Sequence, residues 1–275
     1  MIHELDQAEF YKCKTLLNDI GHLEAKAVIE GNNPGRVFVD HLEIPKAGLI
    51  WLGNHDGFFF IGDEQSDVFL QEINNFMDTT IIPEARQLNV TTFIAIGNHS
   101  RWNKTIETLF THRDMNKFKQ HVYRLEHPKE HHHPSIKSEY QVIKISEALL
   151  NDQNHSITNN RFLQSKIAEF WASLNDFLAK GIGYGVVYQN QLVSLCFSGF
   201  VAGNVHELDM ETIEEHQGKK LGQVAASSVV KECVDKGMVP YWDCEEANQA
   251  SNAIARKIGL EKIFSYNVYL FPMDS

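Results

Sequence analysis

Two periodicities in the order of apolar and polar residues predict a protein of mixed helices and strands. Apolar residues three or four positions apart are typical of helices, and short apolar or alternating runs are typical of strands. In the first half of the chain, helical spacing covers residues 4–29 with a break at Gly21, 68–88 with an interruption at Pro83, and 104–111. Strand-like runs lie at residues 36–40, 49–53, 58–62, 91–97 and 121–125.

The second half of the chain shows a similar succession of elements. Strand-like runs lie at residues 140–145, 184–188, 192–200, 206–212, 239–243 and 264–271. Helical spacing covers residues 161–179, 220–236 and 247–258, and these helices are followed by Gly181, Gly237 and Gly259. Because both halves run through strands, a helix, a buried strand, a helix and a strand, the order indicates either an internal duplication or a chance recurrence of mixed α/β order.

The segment at residues 127–139 is the best candidate for a linker. It is polar and contains two prolines and four histidines. A chain of 275 residues is also long enough for about two domains. We therefore predict an N-terminal α/β domain at residues 1–126, a linker at 127–139 and a second domain at 140–275.

The composition excludes several classes of protein. The chain has 36 Asp and Glu but 25 Lys and Arg, so its net charge is −11. This charge argues against a nucleic-acid partner, because phosphate contacts need a basic surface. The acidity leaves open a cationic or amine-bearing partner, or simply solubility. No apolar run approaches the ~20 residues that span a bilayer, and the first residues lack a secretory signal pattern. Four dispersed cysteines fit buried, reduced thiols, so we expect a cytoplasmic protein without a membrane partner.

Residues 206–237 carry the most informative pattern, in which a strand leads through an acidic loop and a Gly/Lys turn into a helix. Such a turn aims backbone N–H groups and a helix N-terminus at one point, an arrangement that suits a pyrophosphate. Gly218 and Gly222 let the backbone approach a ligand, and Lys219 and Lys220 add positive charge. The pattern matches neither the P-loop nor the Rossmann motif, and by itself it fits a ligand-binding turn and an ordinary loop equally well.

Two ordered motifs resemble those of the GCN5-related N-acetyltransferases (GNAT). Gln217-Gly218-Lys219-Lys220-Leu221-Gly222 is similar to the Gln/Arg-x-x-Gly-x-Gly/Ala signature for acyl-CoA. One strand later, the helix from Asn248 through Ser251 to Leu260 is similar to Asn-x-x-Ala-x-x-Leu-Tyr-x-Lys-x-Gly-Phe. The stretches GIGYGVVYQNQLVSLCFSGFVAG and YWDCEEAN resemble a bacterial subgroup of the zwittermicin-resistance type. The resemblance covers roughly residues 140–275.

The resemblance implies a GNAT fold, in which helices flank a mixed central sheet, with a degenerate copy of that fold in the N-terminal half. It implies acetyl-CoA as co-substrate and no metal. Backbone groups of Met210, Glu211 and Thr212 are expected to pair with the pantetheine arm. Phosphates are expected on the N–H groups of residues 217–222, and Asn248 and Ser251 complete the expected acetyl-CoA site. The acceptor would be a small-molecule or peptide amine, and a homodimer is left open.

The base that removes a proton from the acceptor amine is expected on the strand before the signature. Alternation places Glu207, Asp209 and Glu211 on one face of this strand and His206, Leu208 and Met210 on the other. A bulge near the end of the strand would change the direction of Glu211. We favour Glu207 and Glu211 as the general base or as residues that bind a cationic amine, and His206 is the reserve candidate.

Two departures from the family pattern affect the predicted function. Lys220 replaces the first signature glycine, and Ala255 replaces the Tyr that often protonates the departing thiolate. Three alternatives follow. Tyr241 or water would protonate the departing thiolate, the thiolate would leave without a proton donor, or the domain would bind acyl-CoA without fast chemistry. We therefore predict an N-acetyltransferase acting directly on a primary amine, with a non-catalytic acyl-CoA-binding or regulatory protein as the alternative. A metal site at His131–His133 is the third hypothesis, although a linker fits that tract better.

Overall fold

A computed structural model of the chain describes residues 1–18, 21–53, 57–127, 134–151 and 156–273. The chain forms two compact units, the first comprising residues 1–120 and 266–275 and the second residues 121–265. The second unit therefore differs in extent from the predicted domain at residues 140–275. The reason is that the end of the chain pairs with a strand of the first unit.

The strands and helices follow the predicted order, except that a short strand at His3–Glu4 and a short helix at Glu147–Leu150 were not predicted. The strands are β1 (His3–Glu4), β2 (Gly35–Val39), β3 (Ala47–Leu52), β4 (Phe58–Gly62), β5 (Thr92–Gly97), β6 (Asn116–Arg124), β7 (Gln141–Lys144), β8 (Gly183–Tyr188), β9 (Gln191–Ala202), β10 (Val205–Thr212), β11 (Val239–Glu245) and β12 (Glu261–Pro272). The helices are α1 (Leu23–Ile29), α2 (Asp67–Phe76), α3 (Ile82–Gln87), α4 (Trp102–Leu109), α5 (Glu147–Leu150), α6 (Asn160–Ala168), α7 (Leu174–Lys180), α8 (Leu221–Asp235) and α9 (Gln249–Lys257).

Three predicted helices differ in detail from the observed ones. The first begins as a 3₁₀ helix, Gln7–Leu16, and continues after the break as α1. A π-helical segment, Met77–Ile81, joins α2 to α3, so Pro83 falls in the first turn of α3, where a missing N–H is tolerated. The helix predicted at 161–179 is two helices, because Ser173 caps a new one by accepting a hydrogen bond from the Asp176 N–H at 3.1 Å.

The first unit is built on a mixed sheet with an aromatic core. Strands β1 to β4 pair antiparallel in succession, β4 pairs parallel with β5, and residues 268–272 of β12 pair antiparallel with β5. Phe58 and Phe271 both stack on Phe93, with ring centroids 4.2 and 5.1 Å away. These rings and Trp102 lie in one buried cluster, which gives this unit a core of its own.

The second unit has the same order of pairing. Strands β7 to β10 pair antiparallel, and β10 pairs parallel with β11 after the crossover through α8. Helix α8 packs against β8, β9 and β10, and its residues Val229 and Cys233 lie in the buried core between the helix and these strands. Both units thus contain antiparallel strands followed by a helical crossover to a parallel strand, the arrangement that the predicted duplication requires.

The state of the cysteines and the character of the helices can be compared with the expectations from composition. All four cysteines are buried and carry free thiols: Cys13, Cys196, Cys233 and Cys244. Among the residues that the structure describes, no helix combines the length and the apolar character needed to cross a bilayer.

Candidate functional site

The parallel strands β10 and β11 separate before they end. Their registered pairs are Val205 with Val239, His206 with Pro240 and Glu207 with Tyr241, yet β10 continues to Thr212 and β11 to Glu245. Beyond Glu207, the edge that β10 turns toward β11 is therefore available to a ligand. Backbone amides and carbonyls on such an edge can pair with an extended molecule as with an added strand.

A cavity of about 770 Å³ opens where the two strands separate. Residues 207–212 of β10 and 242–245 of β11 line it, together with residues 216–218 and 220–223 around the start of α8. Helix α9 contributes Ser251 and its cap Asn248. Because successive side chains of a strand point to opposite faces, the cavity reaches both faces of the sheet along the strand edges.

The turn that leads into α8 forms one end of this cavity. The Gln217 side-chain amide donates to the Thr212 carbonyl at 3.1 Å, which closes the loop between β10 and the turn. Gly218 and Lys220 both have left-handed backbones, with φ of +72° and +65°. Lys220 is the N-cap of α8 and supplies no side-chain cap, so the helix N-terminus faces the turn without a competing side chain. Lys219 does not line the cavity, and its Nζ donates to the Glu215 carbonyl at 2.7 Å.

Gly222 is required by the packing of α8 against β10. A Cβ on this residue would lie 2.6 Å from Met210 Sδ and 3.1 Å from Thr212 Oγ1. Thr212 Oγ1 is in turn 2.7 Å from Ser194 Oγ, which also donates to the Glu211 carbonyl at 3.1 Å. The second signature glycine therefore lets the helix N-terminus approach the strand that lines the cavity. Leu221, its neighbour, is buried in the core beneath.

Asn248 and Ser251 shape the opposite wall through local hydrogen bonds. The Asn248 side-chain oxygen accepts from the Ser251 N–H at 3.0 Å and so caps α9. Ser251 Oγ accepts from the Trp242 indole at 2.9 Å. Trp242 lines the cavity and is almost completely buried, so this pair fixes the wall made by β11.

Asn252 is a buried residue that the sequence motifs did not identify. Its amide nitrogen donates to the carbonyls of Asn248 and Glu245 at 2.7 and 2.8 Å, and its oxygen accepts from the Tyr123 hydroxyl at 2.6 Å. This one side chain thus ties α9 to β11 and β6. No sequence motif indicates it, because its partners are backbone carbonyls and a distant tyrosine.

The three predicted base candidates lie in different environments. Glu207 lines the cavity and is 8% exposed. It lies opposite Gly199 and Phe200, where the register of β9 against β10 shifts by one residue, and a Cβ on Gly199 would lie 2.5 Å from its Oε2. Gly199, which the sequence did not single out, therefore leaves the room that this carboxylate occupies.

Glu211 and His206 are each held by a partner. Glu211 Oε2 accepts from Lys166 Nζ on α6 at 2.7 Å, and this hydrogen bond raises the pKa of Lys166. His206 lies outside the cavity lining, with its Nδ1 2.9 Å from Ser198 Oγ. Burial, with a smaller contribution from Lys236, lowers the pKa of His206 to about 4.

The structure also shows where Ala255 and Tyr241, the two positions considered for a proton donor, lie relative to the cavity. Ala255 is fully buried in the core beneath the cavity, and Tyr241 is buried outside the cavity lining. Cys244 and Ser251 do line the cavity and carry protons. Burial raises the pKa of Cys244, so its thiol stays protonated at neutral pH.

His216 lines the cavity and is another residue that the motifs did not identify. Its Nδ1 is 3.1 Å from the Tyr140 hydroxyl, and its ring contacts those of Tyr140 and Tyr188 at centroid distances of 5.7 and 5.0 Å. It immediately precedes Gln217 and the turn into α8. Only its position next to the signature could have drawn attention to it in the sequence.

The residues present fit an acyl-CoA. The open edge of β10 suits the amides of a pantetheine arm, and space lies open where a Cβ of Gly218 would be. The N-terminus of α8 and the ammonium of Lys220 suit phosphates. Across the described residues, no three His, Cys, Asp or Glu side chains cluster closely enough to hold a metal. The tract His131–His133 lies outside those residues.

Comparison with known proteins assigns the family. The sequence profile described as GNAT acetyltransferase matches residues 14–269. The chain belongs to the GNAT acetyltransferase family. This confirms the predicted enzyme class, an acyl-CoA-dependent N-acetyltransferase, and the predicted GNAT fold.

Individual relatives of this acetyltransferase agree with that assignment. An N-acetyltransferase of Bacillus subtilis (strain 168), YdfB, is 26% identical over 271 residues, which are 98% of each chain. The GCN5-related N-acetyltransferase-like protein of Streptococcus suis 89/1591 shares the fold with a TM-score of 0.69 at 18% identity, over 96% of this chain and 98% of that one. A tandem GNAT protein from the clavulanic acid biosynthesis pathway covers 99% of both chains, with a TM-score of 0.61 at 10% identity. The tandem relative supports the predicted duplication.

In the described residues of the first unit of the acetyltransferase, the parallel strands do not separate as they do in the second unit. Its parallel strands β4 and β5 are paired up to Phe60 and Gly97, and the Asn98 N–H still donates to the Phe60 carbonyl at 2.8 Å. The backbone edges that line the cavity in the second unit are thus bonded to each other in the first. This agrees with the absence of both motifs from the first half of the sequence.

Proposed function

We propose that this protein transfers an acetyl group from acetyl-CoA directly to a primary amine. The observation that carries the proposal is the cavity at the separation of β10 and β11. It has the phosphate-type turn Gly218–Lys220 at one end and the buried carboxylate of Glu207 near the other. When bound, acetyl-CoA would supply an activated thioester carbonyl. The N–H groups of Met210 and of the residues that follow it would orient this group by pairing along the edge of β10.

The side chains of this protein would handle the acceptor. An amine arrives as an ammonium, with a pKa near that of Lys, and must lose a proton before it attacks. Glu207 is our candidate for the base, because it is a carboxylic acid that lies where the strand pairing ends and lines the cavity. Glu211, which the hydrogen bond from Lys166 holds in place, is our candidate for orienting the acceptor amine. His206 stays in reserve, since its ring bonds to Ser198 outside the cavity lining.

A non-catalytic acyl-CoA-binding or regulatory protein is the second candidate. The observation in its favour is that Ala255, which stands where the family carries a tyrosine, offers no proton and is fully buried. Water, or the protonated groups of Ser251 and Cys244, would have to serve a departing thiolate instead. Release of free thiol with any amine would argue against this candidate.

Finer features of the function are part of the same proposal. The stretches at residues 181–203 and 241–248 support membership of the zwittermicin-resistance-like subgroup. We also propose that the acceptor is a small-molecule or peptide amine, that the protein forms a homodimer, and that it is located in the cytoplasm.

Isothermal titration with acetyl-CoA is the first test of the proposal. We expect saturable binding by the native protein and none by Gly222→Glu, in which a charged side chain would enter the turn between α8 and β10. An absence of binding to the native protein at millimolar acetyl-CoA would contradict the proposal. A free-thiol assay across a panel of amines then separates the enzyme, which releases CoA with at least one amine, from the binding protein, which releases it with none.

A further inference from the structure

His216 lies at the junction between the turn and the cavity. It ends a short 3₁₀ segment, Glu214–His216, and its N–H donates to the Ile213 carbonyl at 2.9 Å, so its backbone position is set. Its side chain lines the cavity beside Gly218 and Lys220. His216 therefore belongs to the same part of the cavity lining as the backbone groups that fit phosphates.

Two tyrosines hold the imidazole ring in one orientation. Tyr140 is 9% exposed and meets the ring nearly edge-on, at an interplanar angle of 87°. Tyr188 packs against both other rings, with its centroid 5.0 Å from each. A ring that is already fixed loses little conformational entropy when it binds a ligand.

The hydrogen bond to Tyr140 sets which ring nitrogen carries the proton. The Tyr140 hydroxyl oxygen lies 3.1 Å from Nδ1, and we assign the hydroxyl as the donor because a phenol is a good donor. The proton of the imidazole then resides on Nε2, on the other edge of the ring. Nε2–H is then a hydrogen-bond donor on a side chain that lines the cavity, in a stretch of sequence that continues into the turn at Gly218 and Lys220.

We propose that His216 binds the phosphate-bearing end of acyl-CoA through Nε2–H, and that Tyr140 is its positioning residue. Phosphate oxygens are strong acceptors, and this donor would add to those of the turn at residues 217–222. The proposal rests on the proposed function, because it assigns a further ligand contact within the same site.

The main test measures the affinity for CoA by isothermal titration. His216→Ala is expected to weaken binding about tenfold or more, which corresponds to the loss of a hydrogen bond to a charged group. Tyr140→Phe keeps the ring but removes the hydroxyl, and a weakening of about threefold is expected. His112→Ala, which removes an exposed histidine of the first unit, is the control and should bind with native affinity.

A second measurement separates a direct contact from a structural role. In protein labelled with ¹⁵N-histidine, the His216 imidazole signals, assigned by their loss in His216→Gln, should shift when CoA is added. His216→Gln should also recover part of the affinity that His216→Ala loses, because its amide supplies a donor. Unshifted His216 signals on saturation, or an affinity of His216→Ala within twofold of native, would overturn the proposal. If the native protein itself binds no CoA, the proposed function is what fails.

Discussion

Lys166 on α6 donates to Glu211 on β10 at 2.7 Å, while Glu207, four residues earlier on the same strand, is 8% exposed. Lys166 Nζ also lies 3.1 Å from Oε1 of Glu169, the C-cap residue of α6. The two carboxylates that the sequence grouped together thus lie in different electrostatic environments. One is balanced by an internal ammonium, and the other is buried at the point where β10 and β11 separate.

This difference predicts a division of labour between the two carboxylates. Glu207→Gln should lower kcat by about 10²-fold or more, because a base is lost, while acetyl-CoA binds with unchanged affinity. Glu211→Gln should mainly raise the KM of the amine and leave acetyl-CoA affinity unchanged. Steady-state kinetics with the best amine of the panel, paired with titration calorimetry, measure both effects. If Glu211→Gln lowers kcat more than Glu207→Gln does, the two roles are exchanged.

Gly222→Ala should destabilise the protein by about 1–3 kcal/mol, because the added methyl group overlaps Met210 Sδ and the packing of α8 against β10 must adjust. Acetyl-CoA affinity should fall as well, since this movement shifts the edge that faces the ligand. Urea unfolding and calorimetry measure these quantities. Ser228→Ala on the same helix is the control and should change neither by much, because the Ser228 hydroxyl donates to the Val224 carbonyl of its own helix. A fully stable Gly222→Ala protein would show that the close approach is not required.

Lys220→Gly should act in opposite directions on stability and on binding. The left-handed backbone of Lys220, with φ of +65°, costs a side-chain-bearing residue about 1 kcal/mol that glycine does not lose. We expect a free energy of unfolding that is equal or higher by up to about 1 kcal/mol, and a several-fold weaker affinity for acetyl-CoA because the ammonium is gone. Lys220→Asn, a residue that tolerates this backbone, should show the same loss of affinity. Unchanged affinity in both variants would remove Lys220 from the phosphate site.

Glu232 should make the stability of the second unit depend on pH in an acidic window. Burial alone would raise the pKa of Glu232, but hydrogen bonds from Lys144, Lys236 and Tyr184 outweigh it and lower the pKa to about 2, against an ordinary value of 4.5. Since the folded pKa lies below the unfolded one, the stabilisation is fully present above about pH 4.5 and is lost progressively as the pH falls to about 2.

Glu232→Gln should therefore be less stable than the native protein at neutral pH and converge with it near pH 2. Urea unfolding at a series of pH values measures this convergence. Asp235→Asn, which breaks an exposed pair with Lys231 on the same helix, is the control and should cost far less at neutral pH. A gap between Glu232→Gln and the native protein that stays constant from pH 7 to pH 2 would contradict the assigned ionisation.

Much of this protein is encoded locally, and those parts could be predicted from the sequence. Apolar or alternating runs predicted β2 to β12, because buried strands are short runs of apolar residues, whereas the two-residue β1 was not predicted and β6 begins at Asn116 and not at residue 121. The capping of α9 by Asn248 and the turn at Gly218 depend on residues only a few positions apart. Local chemistry also indicated the family, since both motifs are contiguous.

Only the tertiary structure decided which distant residues meet. The ion pair of Lys166 with Glu211, the bond of Tyr140 to His216 and the pairing of the last strand with β5 join positions 45 to more than 170 residues apart. No local pattern specifies such contacts, because they depend on how helices and strands pack once apolar faces are buried. The separation of β10 from β11 is of the same kind. The sequence determined the elements and the ligand motif of this acetyltransferase, and packing decided the carboxylate environments and the shape of the cavity.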